Sequence, residues 1–114
     1  MAAQVTIYHN PRCQKSRQTL QLLRSHGVEP QVVEYLKTPP DAQTLAKLVK
    51  QLGGQASDLV RDKDWRKLGL PQLEDPQQIF QTLAERPELI ERPIVVCGGK
   101  ARLGRPPENV LELL

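Results

Sequence analysis

Cys13 is the residue of this sequence best placed to do chemistry. It lies in the stretch Tyr8-His9-Asn10-Pro11-Arg12-Cys13-Gln14-Lys15-Ser16-Arg17, after a short apolar run and ahead of a helical pattern carrying Leu20, Leu22 and Leu23. A cysteine delivered from a strand end to a helix start meets unpaired backbone N–H groups and the positive end of the local dipole. A thiolate is stabilised there, so the thiol pKa should fall, and cationic neighbours add to the effect. The same geometry suits an oxyanion. One segment therefore offers a nucleophile and an anion cradle together. A free cysteine packed as a small hydrophobe is the plainer alternative, but Asn10, Arg12, Gln14, Lys15 and Arg17 are no core environment.

The run Cys13-Gln14-Lys15-Ser16 has serine where a Cys-x-x-Cys motif has its second thiol. Serine cannot resolve a disulfide, so an adduct on Cys13 requires an external thiol. Ser16 can cap the helix, and its hydroxyl can also hydrogen-bond the thiolate. His9 can orient the loop or tune the thiol. Cys97 ends an apolar strand on the far side of the sheet and is expected to be passive. Arg61, Arg92 and Arg105 lie outside the opening motif. A single arginine is usually a solvated surface residue. Several converging on a thiolate would bind a tetrahedral oxyanion through paired hydrogen bonds and depress the thiol pKa.

The elements that must position these residues follow from pattern and punctuation. Val5-Thr6-Ile7-Tyr8 reads as a strand ended near Pro11, and a helix is expected over residues 16–26, stopped by Gly27. Residues 31–35 form a second strand, parallel to the first through a right-handed crossover. Thr38 is expected to cap a helix that begins at Pro39 and turns Leu45, Leu48, Val49 and Leu52 inward until Gly53-Gly54. Residues 56–70 give a further helical turn or two with Leu59, Val60 and Leu68 inward, and Trp65 as a local packing residue. Asp75-Pro76 starts a helix that buries Ile79, Phe80 and Leu83; Pro87 interrupts it, and one more turn is expected over residues 88–91. Ile94-Val95-Val96-Cys97, the turn Gly98-Gly99 and residues 100–103 make an antiparallel hairpin. Pro106-Pro107 opens a last helix with Val110, Leu111 and Leu114 on its apolar side.

This order, strand–helix–strand, helical insert, β-hairpin and C-terminal helix, is similar to the thioredoxin-like fold: α/β, with a mixed four-stranded sheet. It implies one domain over residues 1–114 with a helical insert at about 56–91. In that fold the proline before the third strand is cis and its loop faces the cysteine, so a cis Arg92–Pro93 bond is expected.

Length and composition bound the function. The 114 residues suffice for a single core, and 39% hydrophobic with 25% charged residues is ordinary for a globular protein. A net charge of +3, without a basic run, favours small anions over nucleic acid, and only Tyr8, Tyr35, Trp65 and Phe80 could stack on bases. No segment approaches membrane-spanning length, and the N-terminus has no signal-peptide pattern, so a cytoplasmic protein is expected. Two distant cysteines without a histidine cluster predict neither a structural disulfide nor a zinc site.

Three further segments sharpen the reading. His9-Asn10-Pro11-Arg12-Cys13-Gln14-Lys15-Ser16-Arg17-Gln18-Thr19-Leu20 resembles the active-site motif of the glutaredoxin-coupled arsenate reductases, the ArsC family. Glu91-Arg92-Pro93-Ile94-Val95-Val96 resembles that family's Arg-Pro-Ile-Val-Val segment, Arg102-Leu103-Gly104-Arg105-Pro106 its second arginine segment, and Leu59-Val60-Arg61 the region of its remaining anion-binding arginine. Gln14-Lys15 stands where better-characterised members have Gly-Thr. The resemblance implies Cys13 as nucleophile, Arg61, Arg92 and Arg105 as arsenate ligands, and His9, Ser16 and Pro93 in support. It implies no metal and no bound cofactor, with glutathione as co-substrate, glutaredoxin as partner, a monomer, and a role in arsenical resistance. Two other classes fit the fold: a regulator similar to the Spx transcription regulators, which bind RNA polymerase, and a monothiol glutaredoxin-like oxidoreductase. Ser16 argues against a Cys-x-x-Cys switch of the first kind.

Overall fold

Four short strands carry the architecture: β1 (Val5–His9), β2 (Gln31–Glu34), β3 (Ile94–Cys97) and β4 (Lys100–Leu103). The structure, a computed structural model, describes residues 4–114. The sheet order is β2-β1-β3-β4. β1 runs parallel to β2 with Ile7 opposite Val32, and antiparallel to β3 with Ile7 opposite Val95; β3 pairs antiparallel with β4. This is the mixed, thioredoxin-like sheet the element order implies. β1 alternates strictly, burying Val5, Ile7 and His9 on one face. The period of two thus carries the apolar pattern straight into a buried histidine at the strand's end.

The chain divides into two compact units, one made of the residues up to Thr38 with Arg92–Leu114, the other of Pro39–Glu91. In the first, helix α1 (Gln14–Ser25) crosses from β1 to β2. Its Leu23 joins Val5, Ile7, Val95 and Val110 in a buried cluster, with Leu20, Val28, Cys97 and Leu113 against it. Truncating a fully buried leucine such as Leu23 to alanine costs about 2–5 kcal/mol. Gly27, at φ 76°, closes the helix in the left-handed conformation that the sequence demanded of it. At the hairpin, Gly98 and Gly99 have φ 58° and 80°, the two positive values a type I′ turn requires.

The second unit contains α2 (Ala42–Leu52), a 3-10 turn at Ala56–Leu59, α3 (Asp62–Lys67), α4 (Pro76–Glu85) and a 3-10 turn at Pro87–Leu89. Its buried side chains include Leu45, Leu48, Leu59, Trp65, Ile79, Phe80, Leu83 and Leu89. An isolated bridge joins Val60 to Ile90, flanked by Arg61 N–H to Leu89 O at 2.7 Å and Glu91 N–H to Leu59 O at 2.6 Å. Asp75 caps α4 through the Gln77 N–H, with Pro76 in the first turn, as the sequence indicates.

Several local expectations are corrected. The helix expected from Pro39 begins at Ala42, and its N-cap is Asp41, whose carboxylate accepts the Thr44 N–H at 2.8 Å. Pro40 disfavours helical backbone at the residue before it, so Pro39 cannot open the helix. Leu68 is exposed, because α3 ends at Lys67 and the inward position of that short helix is taken by Trp65. The Trp65 indole N–H donates to Pro71 O at 3.1 Å. The last helix is 3-10 over Pro107–Leu113. Three residues per turn put Pro107, Val110 and Leu113 on one face, and leave Leu114 exposed instead of inward.

Candidate active site

Cys13 stands at the N-cap of α1 with extended backbone, φ −91° and ψ 122°. An N-cap side chain normally accepts the N–H of the second or third helical residue. Here those residues are Lys15 and Ser16, and the N-cap side chain is a thiol that closes no capping hydrogen bond of its own. The loop before it is locked by Asn10. The Asn10 carbonyl accepts the Cys13 N–H at 2.9 Å, its side-chain Oδ1 accepts the Arg12 N–H at 3.0 Å, and its own N–H donates to Ser16 Oγ at 3.0 Å. An Arg17 Nη1–H to Pro11 O bond of 2.9 Å ties the loop to the first helical turn. Asn10 was legible as a polar neighbour only; the Asn-Pro pair at a strand end, an Asx-turn signature, is the signal that pointed to more.

Ser16 is not the helix cap. It occupies the third helical position, fully buried, with its hydroxyl 2.6 Å from His9 Nδ1. Burial pushes the His9 pKa below its ordinary value; Glu34 opposes this, and Arg24 and Arg17 add to it. With the imidazole neutral, the arrangement is complete when Ser16 donates its O–H to Nδ1 and accepts the Asn10 N–H. The hydroxyl thus serves the loop, and it is the Ser16 backbone N–H that acts on the sulfur.

The second half of the site arrives with the hairpin. The Arg92–Pro93 peptide is cis, as expected; Arg105–Pro106 is cis as well, which the sequence did not announce. Gly104 N–H donates to Pro93 O at 3.0 Å, extending the β3–β4 ladder by one rung. Arg105 Nε–H donates to Arg92 O at 2.8 Å, and its Nη2 reaches Cys13 Sγ at 3.8 Å. Burial of Cys13 opposes ionisation. The Ser16 N–H, the Arg92 guanidinium, the Lys15 N–H and the Arg105 guanidinium together outweigh it, so the thiol pKa lies below its ordinary value. Cys13, His9, Ser16, Arg92, Pro93 and Arg105 all belong to the first unit. Arg61 belongs to the second, where it is the N-cap of α3 and its Nε lies 3.0 Å from Asp64 Oδ2.

Cys97 is at the opposite end of β1, paired with Val5, and both cysteines are free thiols. Thr19 and Asn109 are polar residues that sequence reasoning passed over. Thr19 is buried on α1 with its hydroxyl on Lys15 O at 2.8 Å, and Asn109 Nδ2–H donates to Arg105 O at 3.1 Å. Among the described residues no three His, Cys, Asp or Glu side chains gather in metal-binding proximity, and no helix is long and apolar enough to cross a membrane.

Such an arrangement can hold a tetrahedral oxyanion against a thiolate. The model of the ArsC family matches residues 8–113. The chain is 52% identical to the uncharacterized protein YfgD of Escherichia coli, over 100% of this chain and 99% of that one. It is 44% identical to an arsenate reductase of Neisseria meningitidis serogroup A, over 97% and 98% of the two chains. Its fold is similar to the solved structure of an arsenate reductase from Vibrio cholerae, with a TM-score of 0.88 and 50% identity over the whole of both chains.

Proposed function

We propose that this chain, which belongs to the ArsC family, is an arsenate reductase whose nucleophile is the Cys13 thiolate. The observation that carries the reading is the juxtaposition of Cys13 Sγ, at a helix start, with the Arg105 guanidinium 3.8 Å away. Arsenate carries charge on several oxygens, and N–H groups and guanidinium forks are the donors that recognise it. Arg92 and Arg105 bind it beside the sulfur.

In this reading the Cys13 thiolate displaces one arsenate oxygen as water and forms a sulfur–arsenic bond. Glutathione displaces a second oxygen. A glutaredoxin thiolate then attacks the glutathione sulfur. The electron pair of that sulfur–arsenic bond passes to arsenic, As(V) becomes As(III), and a glutaredoxin–glutathione mixed disulfide leaves. Hydrolysis of the remaining sulfur–arsenic bond frees arsenite and restores Cys13. Two thiols are oxidised for each arsenate reduced. Ser16 in place of a resolving cysteine supports the need for outside thiols. A glutathione-dependent reaction suits the cytoplasm, and a monomer suffices for it.

The test is arsenate-dependent oxidation of NADPH in the presence of glutathione, glutathione reductase and glutaredoxin. Turnover should require arsenate and both thiol components and should vanish in Cys13→Ser. A wild-type chain that oxidises no NADPH under these conditions removes the reading.

A further inference from the structure

Arg105 can act on Cys13 only if its guanidinium is aimed, and the aiming is visible in how the residue is held. A guanidinium has five N–H donors in a rigid plane. The Nε–H is directed at Arg92 O, 2.8 Å away, which turns the Nη2 edge toward the sulfur. The main chain beneath it is held on both sides. Upstream, Gly104 N–H binds Pro93 O at 3.0 Å. A Cβ on Gly104 would lie 2.5 Å from Thr19 Oγ1 and 2.7 Å from Pro93 Cγ, so this segment is pressed against α1 and the Arg92–Pro93 segment. Downstream, the Arg105 carbonyl accepts Asn109 Nδ2–H at 3.1 Å. Asn109 in turn begins from a fixed point: its N–H donates to Pro106 O at 3.0 Å, and its 3-10 helix is anchored in the core by Pro107 and Val110.

We propose that Asn109 is a positioning residue for the site: its side-chain amide locks the Arg105 carbonyl to the anchored terminal 3-10 helix and so keeps the guanidinium on Cys13. Asn109 touches neither sulfur nor oxyanion. Its effect runs through Arg105, to the thiolate and to the bound anion. The proposal rests on the reading of Cys13 and Arg105 as one anion-binding thiolate site.

The experiment uses the full chain and follows alkylation of Cys13 by iodoacetamide, quantified on the Cys13 peptide, as a function of pH and of added arsenate. It needs no turnover and therefore separates the two readings. Wild type should alkylate with a midpoint below the ordinary thiol range and be protected by arsenate. Asn109→Ala and Asn109→Leu should move the midpoint upward and weaken arsenate protection about threefold to tenfold, the worth of one hydrogen bond. Asn109→Gln, which keeps the amide donor, should recover most of both. Should Asn109→Ala fail to fold, the comparison of Leu, which fills the same space without a donor, with Gln decides. Unchanged midpoint and protection in the Ala or Leu variant overturn the proposal, whatever happens to Tm, as does equal loss in Leu and Gln. A wild-type thiol with neither a lowered midpoint nor protection removes the underlying site, and the role of Asn109 with it.

Discussion

Cys13 and Cys97 are both partly exposed free thiols, and they flank the two ends of the same strand. Cys13 follows the C-terminal end of β1 and caps α1; its neighbours are the N–H groups of Lys15 and Ser16 and the guanidinium groups of Arg92 and Arg105. Cys97 pairs with Val5 at the N-terminal end and packs beside the cluster of Val5, Ile7, Leu23, Val95 and Val110. Exposure does not separate them. What separates them is the set of groups beside the sulfur: two helix-start N–H groups and two guanidinium groups at Cys13, the aliphatic cluster and the cross-strand neighbour Lys100 at Cys97. Reactivity in this fold is therefore a property of the strand end, and the residue type alone would have marked both.

The largest test of this contrast is removal of the Cys13 sulfur. Cys13→Ser keeps the cap position and the hydrogen-bonding capacity but lacks a thiolate, and arsenate-dependent NADPH oxidation should fall by about a thousandfold or more. Residual turnover close to wild type would mean that chemistry resides elsewhere and that the contrast between the two ends is decorative.

Next come the arginines. Arg105→Lys retains a cation but loses the planar fork and its aim, so the KM for arsenate should rise about tenfold to a hundredfold, and the Cys13 alkylation midpoint should rise by less than in Arg105→Gln. Arg92→Gln and Arg105→Gln remove charge as well, and each should raise the midpoint, because both guanidinium groups lower the thiol pKa. Above the folded pKa the thiolate is present and the enzyme is competent; as pH falls through that pKa, activity is lost. A raised pKa moves this loss to higher pH. Stability follows the same direction: an acid whose pKa is depressed by folding stabilises the fold above its unfolded pKa, and that contribution disappears as pH falls through the folded value. An Arg→Gln variant with an unshifted midpoint and unchanged KM would leave Cys13 with its helix start alone.

Much of this was legible before the fold was known, and for identifiable reasons. Short apolar runs placed β1 and β3, the pair Gly98-Gly99 marked the hairpin, and a cysteine between an apolar run and a helical pattern could only sit at a strand-to-helix junction. Arg92-Pro93 and Arg105 announced themselves by their position around the hairpin. What stayed hidden was longer-range or finer than pattern. Ser16 looked like a cap because caps are local; its actual partners, His9 and Asn10, depend on β1 alternating so that His9 points inward. Asn109 resembles any polar residue of a terminal turn, and only the path of residues 104–109 brings it under the Arg105 carbonyl. The terminal 3-10 helix escaped because its period of three and an α-helical period share Val110 and differ in whether Leu113, or Leu111 and Leu114, join it.

The Ser16 hydroxyl provides a smaller and different break. Ser16→Ala leaves the backbone N–H that faces Cys13 but orphans the buried Asn10 N–H and His9 Nδ1. Stability should drop by about 1–3 kcal/mol in denaturant titrations. The Cys13 midpoint should stay near wild type as long as the loop keeps its place. A large rise in the midpoint with little loss of stability would transfer the hydroxyl from the loop to the thiolate, and would make the charged end of the contrast depend on a side chain instead of on backbone N–H groups.

Cys97 closes the comparison with the smallest expected effect. A disulfide requires Cα atoms within about 7 Å of each other. Cys97 is opposite Val5, whereas Cys13 lies beyond His9, and the strand between those ends spans about 13 Å at 3.3 Å per residue. Cys97 therefore cannot reach an adduct on Cys13 without dismantling β1, and it cannot act as the resolving thiol. Cys97→Ala should leave kcat and KM within about twofold of wild type, since it lies at the other end of β1 from the site. The change removes one sulfur from a partly buried position beside the apolar cluster and should lower stability by about 1 kcal/mol. The decisive measurement is oxidation of the wild-type chain with hydrogen peroxide in the absence of glutathione. The mass of an intramolecular disulfide between residues 13 and 97 should not appear, and its appearance would place a resolving thiol inside the chain and remove the need for an external one.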